Sequence, residues 1–146
     1  MRKRPFAFLS FLLPILVLLS YGCAGNTEDK PAVSKTTASP TEVHVKLTEY
    51  KVEMDKTSVP AGPVKFLIEN AGKITHEVVL EAGGAKDEPM KSGDKESEVE
   101  NIEAGKSATL EWTIDKPGSY QLACHIDAGE DHFAHGMVAM FTVTAP

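Results

Sequence analysis

The sequence predicts an all-β domain, built as a sandwich or a barrel. Three observations indicate this class: short segments alternate apolar and polar residues, glycine and proline separate these segments, and no long segment has a helical period. The clearest strand is Ser107–Ile114, where Ala108, Leu110, Trp112 and Ile114 share one face. Because such a strand is apolar on one side only, it predicts a sheet that packs against a second layer.

The other predicted strands have the same alternation and are separated by turns. They span residues 43–48 with an irregular continuation to 54, then 64–69, 76–81, 118–124 and 137–143. Residues 82–106 differ, because glycine, proline, serine and charged residues predominate there. That composition predicts a long surface loop, with a short helical turn between Asp94 and Glu103.

The first 23 residues have the pattern of an export signal. Three basic residues at positions 2–4 precede an apolar run over residues 6–19, which is short for a membrane span. Cys23 follows Gly22, an arrangement typical of a bacterial lipoprotein processing site. We therefore expect lipidation at Cys23, and the alternative is ordinary cleavage nearby that leaves a soluble secreted protein.

Three parts of the chain are expected. They are a signal peptide with the lipoprotein cysteine (residues 1–23), a flexible linker rich in Thr, Ser, Ala, Lys and Pro (residues 24–40), and one domain (residues 41–146). Loss of the three basic residues of the signal would change the formal net charge from −6 to −9. An acidic surface of this kind argues against binding of nucleic acid, and a monomer is the default expectation.

The cysteine usage indicates a metal site. Once Cys23 is lipidated or removed, Cys124 is the only thiol of an exported domain, where cysteines are normally paired. The period of two in its strand directs Cys124 to one face and His125 to the other. Met137 opens the facing strand, and His132 lies in the loop between them.

These residue types suit copper. Thiolate and thioether sulfur favour Cu(I), imidazole also suits Cu(II), and a methionine ligand is poor for zinc. A second imidazole could come from His76, at the start of an earlier strand. His135 and His125 are the alternatives to His132, with a solvated role as the ordinary explanation for both.

Several stretches of residues 42–146 resemble the small cupredoxins, or blue copper proteins. The matching stretches are LTEY near Leu47, AGPVKFLIENAGKITHEVVL over residues 61–80, AGKSATLEWTIDKPGSYQLACHI over residues 104–126, and HFAHGM over residues 132–137. The resemblance implies an antiparallel Greek-key β-sandwich with copper near one end. It also implies one-electron transfer as the usual activity.

Carried over to this sequence, the resemblance implies that His76, Cys124, His132 and Met137 are the copper ligands. It also implies that His132 faces the solvent as the route for the electron. One departure concerns the loop, because seven residues separate Cys124 from His132, more than the family usually has. The extra residues lie within 127–131, and they would leave the site more open or more flexible.

The expected function is that of an electron carrier rather than an enzyme. We expect a lipoprotein that is tethered to a membrane, faces the periplasm or the cell exterior, and exchanges electrons with a redox partner protein. The alternative is a copper-handling protein (a carrier, a scavenger or a delivery factor) that uses the same site. A cysteine–histidine pair also occurs in thiol hydrolases, but no third orienting residue is evident.

Overall fold

The computed structural model describes residues 39–127 and 129–146. This part of the chain forms eleven β-strands and no α-helix, so the all-β prediction is confirmed. It contains no helix of the length and apolarity needed to cross a membrane. The predicted signal peptide, Cys23 and residues 24–38 of the predicted linker lie outside the described residues. The strands are β1 (Thr41–Thr48), β2 (Lys51–Met54), β3 (Ser58–Pro60), β4 (Gly62–Asn70), β5 (His76–Ala82), β6 (Lys91–Ser92), β7 (Lys95–Glu96), β8 (Glu98–Ile102), β9 (Ser107–Ile114), β10 (Gly118–Ala123) and β11 (Val138–Thr144).

Two sheets form the sandwich. One has the strand order β2-β1-β4-β9 and the other has the order β3-β11-β10-β5-β8. The sheets are mixed rather than purely antiparallel, since β1 pairs with β4 in parallel and β11 pairs with β3 in parallel. Between β1 and β4 the chain forms β2, which pairs with β1 in the first sheet, and β3, which joins the second sheet. The sandwich with crossed, Greek-key connections is as expected.

The alternating residues of both sheets fill one core. Phe66 of β4 and Phe141 of β11 meet between the sheets, with ring centroids 5.9 Å apart and ring planes at 68°. This edge-to-face arrangement is favoured for aromatic pairs. Tyr120 packs on the same Phe141 ring at 6.0 Å. Other buried members of the core include Val43, Val45, Leu47, Val64, Ile68, Leu110, Ile114, Leu122 and Val143.

The prediction for residues 82–106 was wrong in part. No helical turn forms there, and the segment instead contains the β6–β7 hairpin and the edge strand β8, which pairs with β5. Gly93 provides the left-handed turn of the hairpin, with φ 62°. Ser97 is fully buried and donates its hydroxyl to the Leu80 carbonyl at 2.6 Å, which anchors the segment to the sheet. A short edge strand with a solvated face does not show the apolar pattern that would reveal it.

One end of the sandwich gathers the loops that matter for the site. At this end β1, β4 and β10 finish and β5, β9 and β11 begin. Backbone hydrogen bonds tie the loops together: Ala71 N–H donates to Leu47 at 2.9 Å, and Gly105 N–H donates to Asn70 at 2.8 Å. Residues distant in sequence are thereby held within one small region.

The core makes a direct prediction for stability. Phe66→Ala should lower the free energy of unfolding by about 3–5 kcal/mol, because it removes a fully buried ring and leaves a cavity. Met140→Ala is the matched control, since Met140 is 50% exposed and should change the same quantity by only about 0.5 kcal/mol. Urea unfolding of the copper-free protein measures both. Equal losses in the two variants would contradict the assignment of Phe66 to the core.

Candidate metal centre

Three of the four predicted ligands converge at this end of the sandwich. His76, Cys124 and His132 each offer a ligand atom, and these atoms all lie within 4.8 Å of one another. His132 Nδ1 is 3.3 Å from His76 Nδ1 and 3.3 Å from Cys124 Sγ. The first two residues are fully buried and His132 is 5% exposed. The arrangement can therefore offer two nitrogen donors and one sulfur donor to a single ion, shielded from water.

Backbone hydrogen bonds close the loop that carries three of the predicted ligands, Cys124, His132 and Met137. Cys124, which follows β10, donates its N–H to the Met137 carbonyl at 3.0 Å, and Met137 donates its N–H to the His132 carbonyl at 3.0 Å. His132 in turn donates its N–H to Ile126 at 3.1 Å. Met137 is fully buried immediately before β11. The backbone thus sets the predicted axial methionine beside the cysteine and the histidine.

Asn70 braces the loop that leads to His76. Its side-chain amide donates to the carbonyls of Ile74 at 2.8 Å and Ile102 at 2.7 Å, and its Oδ1 accepts the N–H of Gly72 at 2.9 Å. Asn70 is itself fully buried, so these bonds replace those it would make with water. The sequence indicated only a turn here, whereas the structure assigns the asparagine a bracing role.

His125 lies apart from the candidate site. As predicted from the alternation, it points to the opposite side of the sheet from Cys124, where its Nε2 is 2.9 Å from Glu81 Oε1. Its ring stacks on Phe133, with centroids 4.7 Å apart and planes at 20°. His125 therefore has other partners and is not a member of the three-residue group.

His135, the other alternative to His132, is exposed. Its Nδ1 lies 2.7 Å from the carbonyl oxygen of Asp131, with which it can form a hydrogen bond. His132, in contrast, has its Nδ1 beside the cysteine sulfur. The geometry thus favours His132 among the loop histidines, and its role as a ligand stays a prediction.

Tyr50 is a neighbour of the site that sequence reasoning missed. Its ring meets the edge of His132, with centroids 5.4 Å apart and planes at 80°, and stacks on His135 at 4.6 Å. Its hydroxyl donates to a carboxylate oxygen of Glu130, within the lengthened loop. His132 is consequently covered rather than solvent-facing, contrary to expectation. The backbone of Tyr50 has a left-handed φ of 60°, which is unusual for an aromatic residue.

Burial governs the ionisation of the candidate ligands. It raises the pKa of the Cys124 thiol, while backbone N–H groups of Glu77 and Ile126 act in the opposite direction. Burial also lowers the pKa of His76, and the nearby His132 adds to that effect. Both shifts follow from the cost of isolating a charge away from water. A bound cation would compensate for the charge of a buried thiolate.

These residues fit a copper ion. The donors are one thiol, two imidazole nitrogens and a buried methionine nearby, which is the set that blue-copper sites use. The Nδ1 atoms of the two histidines lie 3.3 Å apart. An ion at this place would take both lone pairs, so the chemistry of the donor set agrees with a metal.

The lowered pKa of His76 predicts a pH dependence for the copper-free protein. Above pH 6.5, the ordinary pKa of a histidine, the imidazole of His76 is neutral in both the folded and the unfolded chain. Its burial therefore does not reduce stability in that range. As the pH falls below that value, the unfolded chain binds a proton that the folded site resists, so stability is lost.

The free energy of unfolding of copper-free wild-type protein should therefore decrease between about pH 7 and about pH 5, and His76→Gln should reduce that decrease. Urea unfolding at both pH values measures it. His44→Gln removes an exposed histidine and is the control. A decrease of the same size in wild type and His76→Gln would contradict the interpretation.

Comparison with solved structures gives a consistent fold. An auracyanin from the photosynthetic bacterium Roseiflexus castenholzii, in its dithionite-reduced form, is 22% identical, with 71% of this chain and 97% of that chain covered and a TM-score of 0.57. Auracyanin B is 22% identical, with 77% and 93% covered and a TM-score of 0.58. A multicopper oxidase is 15% identical, with 71% and 42% covered and a TM-score of 0.54.

Because the sequence identities are low, these structural matches establish the shared fold only. No curated protein sequence matches the chain significantly. The family model described as "Cupredoxin-like domain" matches residues 15–139, which is most of the 146-residue sequence. The chain therefore belongs to the cupredoxin-like domain family.

Proposed function

We propose that the protein is a one-electron carrier with a mononuclear copper centre that cycles between Cu(II) and Cu(I). Copper is the cofactor that the family and the donor set imply. The proposed ligands are His76, Cys124, His132 and Met137. The observation that carries the proposal is the convergence of two imidazole nitrogens and one thiol sulfur, all buried, within 4.8 Å.

Copper would supply the redox change, and the protein would keep the geometry similar in both oxidation states. The ligand loop is suited to this, because backbone hydrogen bonds at 3.0 Å join Cys124 to Met137 and Met137 to His132. Backbone N–H groups of Glu77 and Ile126 act on the sulfur of Cys124 and stabilise its thiolate form. Hydrogen bonds to the sulfur and the nature of the axial ligand are known means of tuning the potential.

The fold neighbours agree with redox activity without deciding between a carrier and an enzyme. The Roseiflexus auracyanin was studied in a dithionite-reduced form, while a multicopper oxidase shares the same fold. We favour a carrier over an enzyme because the candidate centre is mononuclear and enclosed. A groove of about 640 Å³ exists, but its lining, which includes Met90, Trp112 and Tyr120, contains none of the proposed ligands.

For the location, we propose export and a lipid anchor at Cys23, with residues 24–40 as the linker to the domain. The support is the signal-like sequence of residues 1–23, in which Cys23 follows Gly22. On this proposal the protein is a membrane-tethered monomer that faces the periplasm or the cell exterior and meets a redox partner protein.

Copper handling is the second candidate function. The observation in its favour is the exposed His135, which stacks on Tyr50 next to His132 and could receive an ion at the surface. Rapid transfer of copper to an acceptor protein on mixing would support it. Retention of copper together with fast electron self-exchange would support the carrier instead.

The first prediction of the proposed function concerns the thiolate of Cys124. Titration of the protein with Cu(II) should produce an intense visible band from charge transfer between thiolate and copper, and Cys124→Ser should abolish it. The visible spectrum measures both. Because the serine variant keeps both histidines, a weak histidine-only spectrum identical in the two proteins would exclude a blue site and favour copper handling.

The second prediction concerns the axial position. Met137→Leu keeps an apolar side chain of similar size but removes the thioether, so the visible band should persist while the reduction potential rises, since a ligand to Cu(II) is lost. Met140→Leu is the control, because Met140 is 50% exposed on β11. Cyclic voltammetry of the copper proteins measures the potential. Equal potentials in wild type and Met137→Leu would remove Met137 from the ligand set.

A further inference from the structure

One buried polar atom of the centre lacks a partner. Among the described residues, His76 Nε2 is the buried side-chain nitrogen or oxygen for which no hydrogen bond is found. An unsatisfied buried donor is costly, and histidine ligands of metals almost always donate from their second ring nitrogen to a carboxylate, a carbonyl or a water. The atom therefore points to an interaction that the contacts above do not include.

Gly72 packs closely against this nitrogen. A Cβ atom placed on Gly72 would lie 3.2 Å from His76 Nε2, 3.1 Å from Glu49 Oε1 and 3.1 Å from Asn70 Oδ1. Three polar atoms thus surround one point that only a glycine leaves open. Because Gly72 does not have a left-handed φ, close approach rather than backbone conformation explains the glycine.

Glu49 is the stronger of the two oxygen acceptors at this point. Asn70 Oδ1 already accepts the Gly72 N–H and belongs to a neutral amide. Glu49 Oε1 accepts the N–H of Lys73, but a carboxylate has about four lone-pair sites and keeps capacity for a further donor. A glutamate side chain is ionised at neutral pH, so Glu49 offers a full negative charge to the imidazole.

We propose that Glu49 is a positioning residue for His76: its carboxylate accepts the Nε2–H of the imidazole, directly or through one water molecule. The inference rests on the proposed copper site. A proton held on Nε2 leaves the lone pair on Nδ1, the atom that lies 3.3 Å from His132 Nδ1. The negative charge of Glu49 also makes the imidazole a better donor to Cu(II).

The experiment uses proton NMR of the Cu(I)-loaded protein, which is diamagnetic. The exchange of the His76 Nε2–H with solvent is compared in wild type, Glu49→Leu, Glu49→Gln and Gly72→Ala. Glu103→Gln, which removes an exposed carboxylate from a loop at the same end, is the control. Loss of Cu(I) to a competing chelator and the reduction potential are measured on the same samples.

Glu49→Leu should accelerate exchange of the Nε2–H and make Cu(I) loss about tenfold faster, since the oriented imidazole is released. Glu49→Gln keeps an acceptor oxygen, so it should restore slow exchange while raising the reduction potential, because the charge is gone. Gly72→Ala should accelerate exchange like Glu49→Leu, because its Cβ would press on both Glu49 Oε1 and His76 Nε2 and move them apart. Glu103→Gln should leave exchange unchanged.

Exchange in Glu49→Leu at the wild-type rate would overturn the inference and assign the hydrogen bond to Asn70. Exchange of the His76 Nε2–H at the wild-type rate in Gly72→Ala would overturn the role of the close contact at Gly72. These failures differ from failure of the proposed function, which would appear as a wild-type protein that gives no thiolate band with Cu(II). Glu49 is exposed, and slow exchange in Glu49→Gln beside fast exchange in Glu49→Leu would assign the effect to the lost acceptor rather than to misfolding.

Discussion

The candidate centre depends on the closure of one loop by the backbone. Cys124 donates to Met137, and Met137 donates to His132, each at 3.0 Å. These two bonds hold three of the proposed ligands together independently of their side chains. The two ends of the loop are therefore fixed by the backbone whatever the number of residues between them. The lengthened loop leaves the site closed, with His132 only 5% exposed.

The sandwich positions His76, the one proposed ligand that the loop does not carry. His76 is 48 positions before Cys124 in sequence, yet it begins β5, which pairs directly with β10. The fully buried Asn70 braces the loop between β4 and β5, and its amide reaches Ile102 at the end of β8. The position of this remote imidazole therefore depends on both sheets, whereas the other three proposed ligands come from one continuous segment.

Much of this arrangement was accessible from the sequence. The alternation of β9 and β10 predicted the core and separated Cys124 from His125, because a period of two is enough to assign faces. Gln121 shows the limit of such reasoning. Its position predicts exposure, but it is 2% exposed, since residues 83–90 fold over it and Gly84 N–H and Ala85 C=O bond to its amide. Tertiary covering of this kind leaves no local pattern, and neither does the left-handed φ of Tyr50.

If the protein carries electrons as proposed, the cover that Tyr50 places over His132 has a consequence for the choice of partner. A protein that approaches this side of the molecule meets the phenol ring and His135 before it meets the imidazole. Substitutions at Tyr50 can thus change which surfaces are recognised without altering any atom that binds the ion. Recognition and redox chemistry are separated by one aromatic ring, and each is free to diverge in evolution without the other.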